Sequence, residues 1–525
     1  MTQAFDCLVI GAGSNGLTAA TALARSGLRV GLLEKEEALG GQRRSVEFAP
    51  GFRAAPLALD PGWAPPEVAR LLGLGGLARA SHEAPVSILG ESGESLTLWR
   101  DPARADEALR RLSAVDAVAW PVFVQRLHRL AAFLGMLYQQ PAPDVDAPAG
   151  ELLSLFGLAR RFRDLGGADM IEFLRTLPMS VWELLDDTFK SELLKAAVAP
   201  SGVLDHAQGP RSGGTGFVLL HHLVGAPGGS VRGRAPWRDG PETFTGAAEQ
   251  AARRAGVTIR TGAEVTHVEV RDDAVTAVVL ANGDTIPARR VLSTASPART
   301  LLEWIDPVWL DPEFLRAAKN IRYRGCTSFV LYALDGLPDT NGLPAQALAG
   351  TVTLSGSVQA IERAADATKY GTPPPRPHVE ICVPTLNNPG AAPEGRHVLV
   401  ARAQYAPHRL RDGGTWDDAG RVALGEAIDA AVTGALPGFD SRVLQRSVWS
   451  PRDLEQCFGL AGGAPSHGEL GLDQILFMRP VAGFGRYASP ITGLYLGGAG
   501  CHPGPGVLGG AGWLAARRIL GDRRS

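Results

Sequence analysis

Hydrophobic and polar positions change period several times along the chain, and each change marks an element. Residues 5–10 are an apolar run ending in glycines, Leu17, Ala20, Leu23 and Ala24 then recur at helical spacing, and 30–34 is apolar again. A short apolar run bounded by turn residues reads as a buried strand and the i, i+3, i+4 spacing as a helix, so the opening predicts strand, helix, strand. This is a βαβ unit, the builder of parallel sheets. From about 102 to 223 the pattern is helical, with amphipathic runs at 152–165 and 186–197 and a Pro-rich break at 141–150. A helix at 245–255 gives way to VTIRTGAEVTHVEVRDDAVTAVVLANGDTI, whose alternation predicts a β-meander turning at Asn282-Gly283, with strands returning to the main sheet. Residues 300–450 mix strands at 327–333 and 397–402 with a long helix at 417–435, and the last segment reads as strand, glycine loop and a helix from about Leu508.

That order predicts an α/β chain with two domains woven through each other. A Rossmann-type domain is expected from 1–75, 240–300 and 450–525. A mixed α+β substrate domain with a helical insertion is expected from 76–239 and 301–449. The 525 residues are ample for both.

Composition narrows the class. Hydrophobic residues are 45%, charged residues 20% and the net charge is −2, the profile of a soluble globular protein and not of a nucleic-acid binder. The five cysteines are an odd, scattered set without a CxxC, so neither a disulfide framework nor a dithiol centre is indicated and a reducing, cytoplasmic compartment is expected. No secretory n-region precedes the first apolar run. The 30 uncharged residues from Tyr487 to Ala516 contain three prolines and nine glycines, which argues against a bilayer helix.

Three glycine clusters carry the chemistry. Gly11, Gly13 and Gly16 form GxGxxG between strand and helix. The first permits the turn, the second admits a pyrophosphate, and the third lets helix and strand approach, with the helix N-terminus facing the anion. Glu34 closes the second strand, where its carboxylate reaches a ribose diol. NAD and FAD share this much. A second turn, Gly40-Gly41, followed by Gln42, Arg43 and Arg44, supplies another phosphate-facing cluster and favours a permanently held FAD. The third cluster, Gly497 to Leu508, lets backbone lie against a flat ring with a helix N-terminus behind it, an arrangement that would stabilise negative charge on a reduced flavin.

With these residues in view, GAGSNGLTAATALARSGLRVGLLEK, GPRSGGTGFVLLHHLVG, HGELGLDQILFMRPVAGFGRYASPITGLYLGGAGCHPGPG and GGAGWLAARRIL resemble the phytoene desaturase-like flavoproteins over nearly the whole chain. The branch it most resembles is the pyridine nucleotide-disulfide oxidoreductase domain-containing protein 2 group, which is similar to carotenoid desaturases and, more distantly, amine oxidases. The resemblance implies non-covalent FAD, interleaved domains and oxidation of a hydrophobic substrate. By position it implies that Gly11, Gly13, Gly16, Glu34, Gly40 and Gly41 contact the adenosine and pyrophosphate side. The backbone of Val265 would meet the adenine, and Gly498, Gly500, Gly506, Val507 and Leu508 would lie along the ribityl chain and ring. The chain departs from its relatives in three places. Gln42 stands where many have Arg, so either Arg43 or Arg44 substitutes or the phosphate contact is lost. RDGPETFTG replaces a GG-rich step. Phe329 aligns with the Lys that amine oxidases use to hold water near flavin N5. With no CxxC, a disulfide reductase mechanism is unavailable.

His221 and His222 point about 100° apart on a helix, so at most one faces a cavity, and no third ligand makes a metal site. His502 lies in the flavin-facing loop as a polar group near the ring or as a turn residue beside Pro503. Cys501 replaces the Thr or Ser of relatives and reads as a small spacer. Arg211 either orients substrate or braces its loop. His502, His222 and Arg211 are the catalytic candidates. The runs LLSLFGLARRF, MIEFLRTLPMSVWELL and FVLLHHLV predict apolar cavity walls with few acids or bases, suited to a polyene or lipid-like substrate whose hydride goes to flavin N5. Formation of C=N as in amine oxidases, or a non-catalytic flavin-fold module, are the alternatives. The electron acceptor, oxygen or a quinone, stays open. Peripheral membrane contact is expected through Leu152, Leu153, Leu155, Phe156 and Leu158 followed by Arg160, Arg161 and Arg163.

Overall fold

The computed structural model describes residues 5–80, 83–91, 93–143, 152–232 and 235–523, without the side chains of 152–156, 158 and 412. The opening is β1 (Cys7–Ile10), α1 (Ser14–Arg25) and β2 (Val30–Leu33). Every residue of both strands is buried, as expected for a parallel sheet covered on both faces. The sheet has five strands in the order Leu494–Leu496, Val291–Ser293, β1, β2, Thr258–Arg260, all parallel. Its strands come from three distant stretches of chain, and their C-terminal ends open on one side. On one face α1 packs against Glu242–Arg254 and the closing helix Gly510–Asp522.

The meander departs from expectation. Val265–Arg271, Ala274–Leu280 and Thr285–Pro287 form a three-stranded antiparallel sheet of their own, and only the short strands flanking them join the main sheet.

A second, seven-stranded mixed sheet has the order Val443–Trp449, Thr327–Leu334, His397–Gln404, His378–Cys382, Thr351–Thr353, Val86–Leu89, Ser95–Leu98. Thr327–Leu334 and His397–Gln404 pair antiparallel over eight residues at its centre. Register aligns Phe329 with Arg402, Arg402 with Glu380 and Glu380 with Thr353, so these four share one face of the sheet. Cross-strand neighbours two residues away fall on that same face, which brings Thr327, Gln404 and His378 there too.

Between the sheets lies the helical segment. The 186–197 run is not one helix but two, Val181–Asp186 and Glu192–Val198. Buried Asp116 causes the break: its carboxylate accepts from Lys190 N at 2.8 Å and Ser191 N at 2.7 Å, and the Ser191 hydroxyl then accepts from Leu194 N to cap the second helix. Among the described residues no helix is long and apolar enough to cross a membrane.

Candidate cofactor site and adjoining cavities

A cavity of about 1320 Å³ lies over the C-terminal ends of the parallel strands. β1 ends in it with Ile10 and Gly11, β2 with Leu33, Glu34 and Lys35, Val291–Ser293 with Thr294 and Ala295, and the edge strand Thr258–Arg260 leads to Ala263, Glu264 and Val265. Gly11 takes φ +92°, a conformation that only glycine adopts without strain. Gly13 caps α1 without any side-chain cap bond, so the first N–H groups of the helix stay available to an anion. The Gly40-Gly41 turn rests on this loop: Gly40 N donates to Ala12 O at 3.0 Å, and a Cβ on Gly41 would come within 3.3 Å of Gly13 Cα. Glu34 is buried, its two oxygens accepting from Ala12 N at 2.7 Å and Glu36 N at 3.1 Å, which fixes the carboxylate at the strand end.

The chain's last segment closes the opposite wall with Gly504, Pro505, Gly506, Val507 and Leu508. Trp63 N donates to Gly506 O and Leu508 N to Trp63 O, at 2.8 and 2.7 Å, so the loop is pinned like a strand. His221 anchors it too: Nε2 donates to Pro505 O at 2.8 Å, and Tyr138 Oη donates to Nδ1 at 2.6 Å. The helix behind it begins at Gly510, and its first turn is tied to α1 through Gly512 N, which donates to Asn15 Oδ1 at 3.2 Å.

Most of the sequence-selected positions therefore meet here: Gly11, Gly13, Glu34, Gly40, Gly41, Arg43, Val265, Gly506, Val507 and Leu508 line one cavity. Gly16, Gly498 and Gly500 do not. Added Cβ atoms at these three would strike Gly11 O at 1.8 Å, Thr294 O at 2.3 Å and Pro297 Cδ at 2.3 Å, so these glycines allow close packing behind the cavity.

The residues fit an FAD. Arg43 lies 7% exposed on the wall with Nε and Nη2 taking no hydrogen-bond partner among the described residues, a buried donor pair of the kind a pyrophosphate satisfies. Arg44 is spent elsewhere, on Glu36 Oε2 at 2.5 Å and Cys457 O at 3.0 Å. His467 also lines the cavity with its Nδ1 unpartnered; burial, then Arg479 and Arg299, pulls it down to about 4, so the ring is neutral. Sequence reasoning passed over His467, although it opens the HGELGLD motif.

The three catalytic candidates separate. His222 lines the cavity next to the cofactor's. His502 does not line it: the ring is 1% exposed, Nε2 donates to Gln140 O at 3.1 Å, and burial pulls it down to about 4, so it ties loops together. Arg211 is exposed, 4.7 Å over the Trp182 ring, and its backbone N donates to Glu362 Oε2. It braces its loop outside these cavities. All five cysteines are unpaired, and Cys501 is buried. Among the described residues no three His, Cys, Asp or Glu converge as metal ligands.

Two further cavities of about 900 Å³ each adjoin the first, and Asp60 lines all three. One is walled mainly by apolar residues, among them Ala54, Ala58, Leu59, Pro85, Pro236 and Trp237, with Arg43, Arg53, Asn387 and Asn388 also on its wall. The other overturns the expectation of apolar walls with few acids or bases. It is lined by Phe329 with Asp60, Asp205, His206, His222, Arg232 and Arg402, while Phe217, Leu219 and Leu220 of the FVLLHHLV run are buried in the core. Arg232 and Arg402 both grip Glu380, at 2.8 and 2.9 Å through Nη2, and Arg402 Nη1 donates to Asp60 Oδ2 at 2.9 Å. Burial alone would raise Glu380 and Asp60, but the two guanidinium groups outweigh it and hold both carboxyls ionised. A signal was present in sequence: Arg402 interrupts HVLVARAQ and Glu380 interrupts HVEIC, each a charge inside an otherwise buried strand.

A parallel sheet with two glycine turns at its C-terminal edge, the uncapped N-terminus of α1, an acid closing β2 and a second, mixed sheet define an FAD-dependent oxidoreductase. The family model "Flavin containing amine oxidoreductase" matches residues 16–520, and the chain belongs to that family. It is 31% identical over 547 residues to pyridine nucleotide-disulfide oxidoreductase domain-containing protein 2 of Rattus norvegicus, covering 99% of this chain and 94% of that one. Hydroxyneurosporene desaturase of Rhodobacter capsulatus is 26% identical over 551 residues, covering 100% and 99%. Among solved structures, a putrescine oxidase triple mutant superposes with TM-score 0.60 at 16% identity, covering 99% of both chains, which fixes the fold.

Proposed function

We propose that this protein is an FAD-dependent dehydrogenase that introduces a C=C bond into a largely apolar substrate. The observation that carries this reading is the pair of cavities beside the cofactor site: an alanine- and proline-walled space for an apolar body, and a charged chamber for the reacting end, joined at Asp60. Phe329, on the wall of the charged chamber, stands where amine-oxidising relatives carry the Lys that holds a water, which favours C=C over C=N formation. The similarity to a hydroxyneurosporene desaturase points the same way. FAD supplies the two-electron acceptor. Arg43, Glu34 and the two glycine turns would hold it. Oxygen or a quinone then takes the electrons.

The test is anaerobic mixing of the yellow holoprotein with polyenes, lipids and amines. Polyenes or lipids should bleach the flavin. Bleaching by small amines alone overturns the desaturase reading, and a chain that takes up no FAD overturns the enzyme reading altogether.

The same reading includes peripheral membrane contact. The side chains of Leu152, Leu153, Leu155, Phe156 and Leu158 lie outside the described residues. On the neighbouring helices, however, Val115, Val118, Val122, Ile171 and Leu174 are each more than half exposed, and Arg160, Arg161 and Arg163 are exposed beside them in sequence. Exposed apolar side chains on these helices, together with the cations of 160–163, suit an anionic lipid surface. Wild type should float with phosphatidylglycerol vesicles at low salt and Val118→Asp/Val122→Asp should not. Wild type that stays at the bottom ends the membrane idea and favours a smaller, soluble substrate.

A further inference from the structure

Among the described residues, Asp205 is the carboxylate on the wall of the charged chamber that accepts from no guanidinium. Both oxygens of Glu380 and Oδ2 of Asp60 are taken up by Arg232 and Arg402. Asp205 Oδ1 accepts from Thr327 Oγ1 at 2.7 Å, and Oδ2 takes no hydrogen bond among the described residues. The chamber wall holds the residue itself in an uncommon conformation, φ +54°, which Asp tolerates better than most side chains.

A clamp enforces that conformation. The Gln404 side-chain amide accepts from Asp205 N at 3.1 Å and donates to Val203 O at 2.8 Å, gripping both ends of the turn. Gln404 and Thr327 occur on the same sheet face as Arg402 and Phe329, so one face of the covering sheet positions Asp205 from two sides. Sparsely populated backbone held by several independent bonds is what a functional side chain requires. The chamber shares Gln42, Leu57, Asp60, Gly62, Pro505 and Gly506 with the cofactor cavity, so Asp205 lines a space that adjoins the candidate flavin site.

We propose that Asp205 is the catalytic base of the dehydrogenation, an inference that rests on the flavin dehydrogenase reading above. Two C–H bonds on adjacent substrate carbons break. One hydrogen leaves with both electrons to the flavin, the other leaves as a proton to Asp205 Oδ2, and the electron pair left behind becomes the C=C bond. The flavin is reduced by two electrons and Asp205 ends protonated, until oxygen or a quinone removes the electrons and the proton departs to solvent. The charges facing Asp205 suit it for this. Burial raises its pKa, Arg402 and the Thr327 hydroxyl oppose the rise, Asp60 adds to it, and Arg232 opposes it. His206, His222 and the buried Cys326 thiol are the other titratable groups close by.

This assignment has a consequence that needs no substrate. If the proton on Asp205 and the electrons on the flavin belong to one product state, each stabilises the other, so reducing the flavin must draw a proton onto Asp205. Holoprotein is titrated with dithionite and redox dyes over a range of pH. Wild type should show a pH window in which one more proton is taken up per two electrons than in Asp205→Asn, and Asp205→Glu should restore it. Asn tolerates the positive φ and can keep the Thr327 contact, so the variant should retain FAD. Thr327→Val, which removes a bond favouring the ionised carboxyl, should move the window to higher pH. Parallel wild-type and Asp205→Asn lines at every pH overturn the proposal while leaving the flavoenzyme reading intact. So does an extra proton that survives in Asp205→Asn and vanishes in His222→Gln. A chain without bound flavin overturns both readings.

Discussion

Arg43 and Arg44 are adjacent in sequence and opposite in circumstance. Arg43 is buried between the cofactor cavity and the apolar one, its cation 5.6 Å from the Phe244 ring centroid, while Arg44 is tied to Glu36 and Cys457. Burial, with Arg79 adding to it, pulls Arg43 down to about 10, which leaves it charged at neutral pH. A hydrogen bond to a charged group contributes roughly 1.5–3 kcal/mol, so Arg43→Ala should weaken FAD binding by about 10- to 100-fold in a fluorescence titration of apoprotein, and Arg44→Ala by clearly less. Equal losses would sink the assignment. From sequence the two arginines were equivalent, because which one turns inward depends on Glu36 being placed to capture the other. His222 and His502 illustrate the same limit: both are histidines in apolar surroundings, and only packing decides that one meets a cavity and the other Gln140.

At the scale of elements, the site depends on how closely α1 and the closing helix approach. A Cβ on Gly512 would fall 2.0 Å from Asn15 O, at the N-terminal turn of α1 that faces the cofactor cavity. Gly521, near the other end of the same helix, has nothing within 4 Å of its would-be Cβ. Gly512→Ala should therefore force the helices apart, lowering the melting temperature by an amount equivalent to about 1–3 kcal/mol and releasing FAD. Gly521→Ala should melt at or above wild type, since Ala is favoured over Gly in a helix by up to about 1 kcal/mol. A Gly512→Ala protein that melts with wild type would mean the helices do not touch there. The helices and strands themselves were largely legible from periodicity. The split of the 186–197 run was not, because Asp116, some seventy residues upstream, takes the two backbone N–H groups that would have continued the helix.

The whole molecule carries a pH signature from groups in the seven-stranded sheet and in two loops of the last segment. His378, His467 and His502 are each pulled down to about 4, burial being the largest cause in every case. In the unfolded chain they titrate near the model value of 6.5. The unfolded state therefore binds more protons between the two values. Stability from these groups is fully present above pH 6.5 and is lost as pH falls toward 4. Each proton taken up on unfolding costs about 1.4 kcal/mol per pH unit. Urea unfolding at a series of pH values should show stability falling through that window with a slope of more than one proton. A flat profile would mean the three rings are protonated, or exposed, in the native state.

The local sequence by itself determined the βαβ opening, the glycine turns, the meander's hairpin at Asn282-Gly283 and the choice of a flavin over a nucleic acid or a metal as the object of the motifs. Each of these is a short-range property: a hydrophobic period, a backbone conformation that glycine alone permits, an acid at a fixed offset from a strand. Only the tertiary structure decided what the second sheet does. Arg402 and Glu380 read as isolated charges in apolar strands, and they become an ion-pair network at the chamber only when antiparallel pairing places them side by side and Arg232 and Asp60 arrive from distant loops. Desolvating one such charge alone is prohibitive, so the network exists complete or not at all, and although the charges inside the two apolar strands are visible in the chain, their pairing with Arg232 and Asp60 is not. Asp205 takes its meaning from the same assembly, since the amide of Gln404, the hydroxyl of Thr327 and the nearby cations reach it only in the folded molecule.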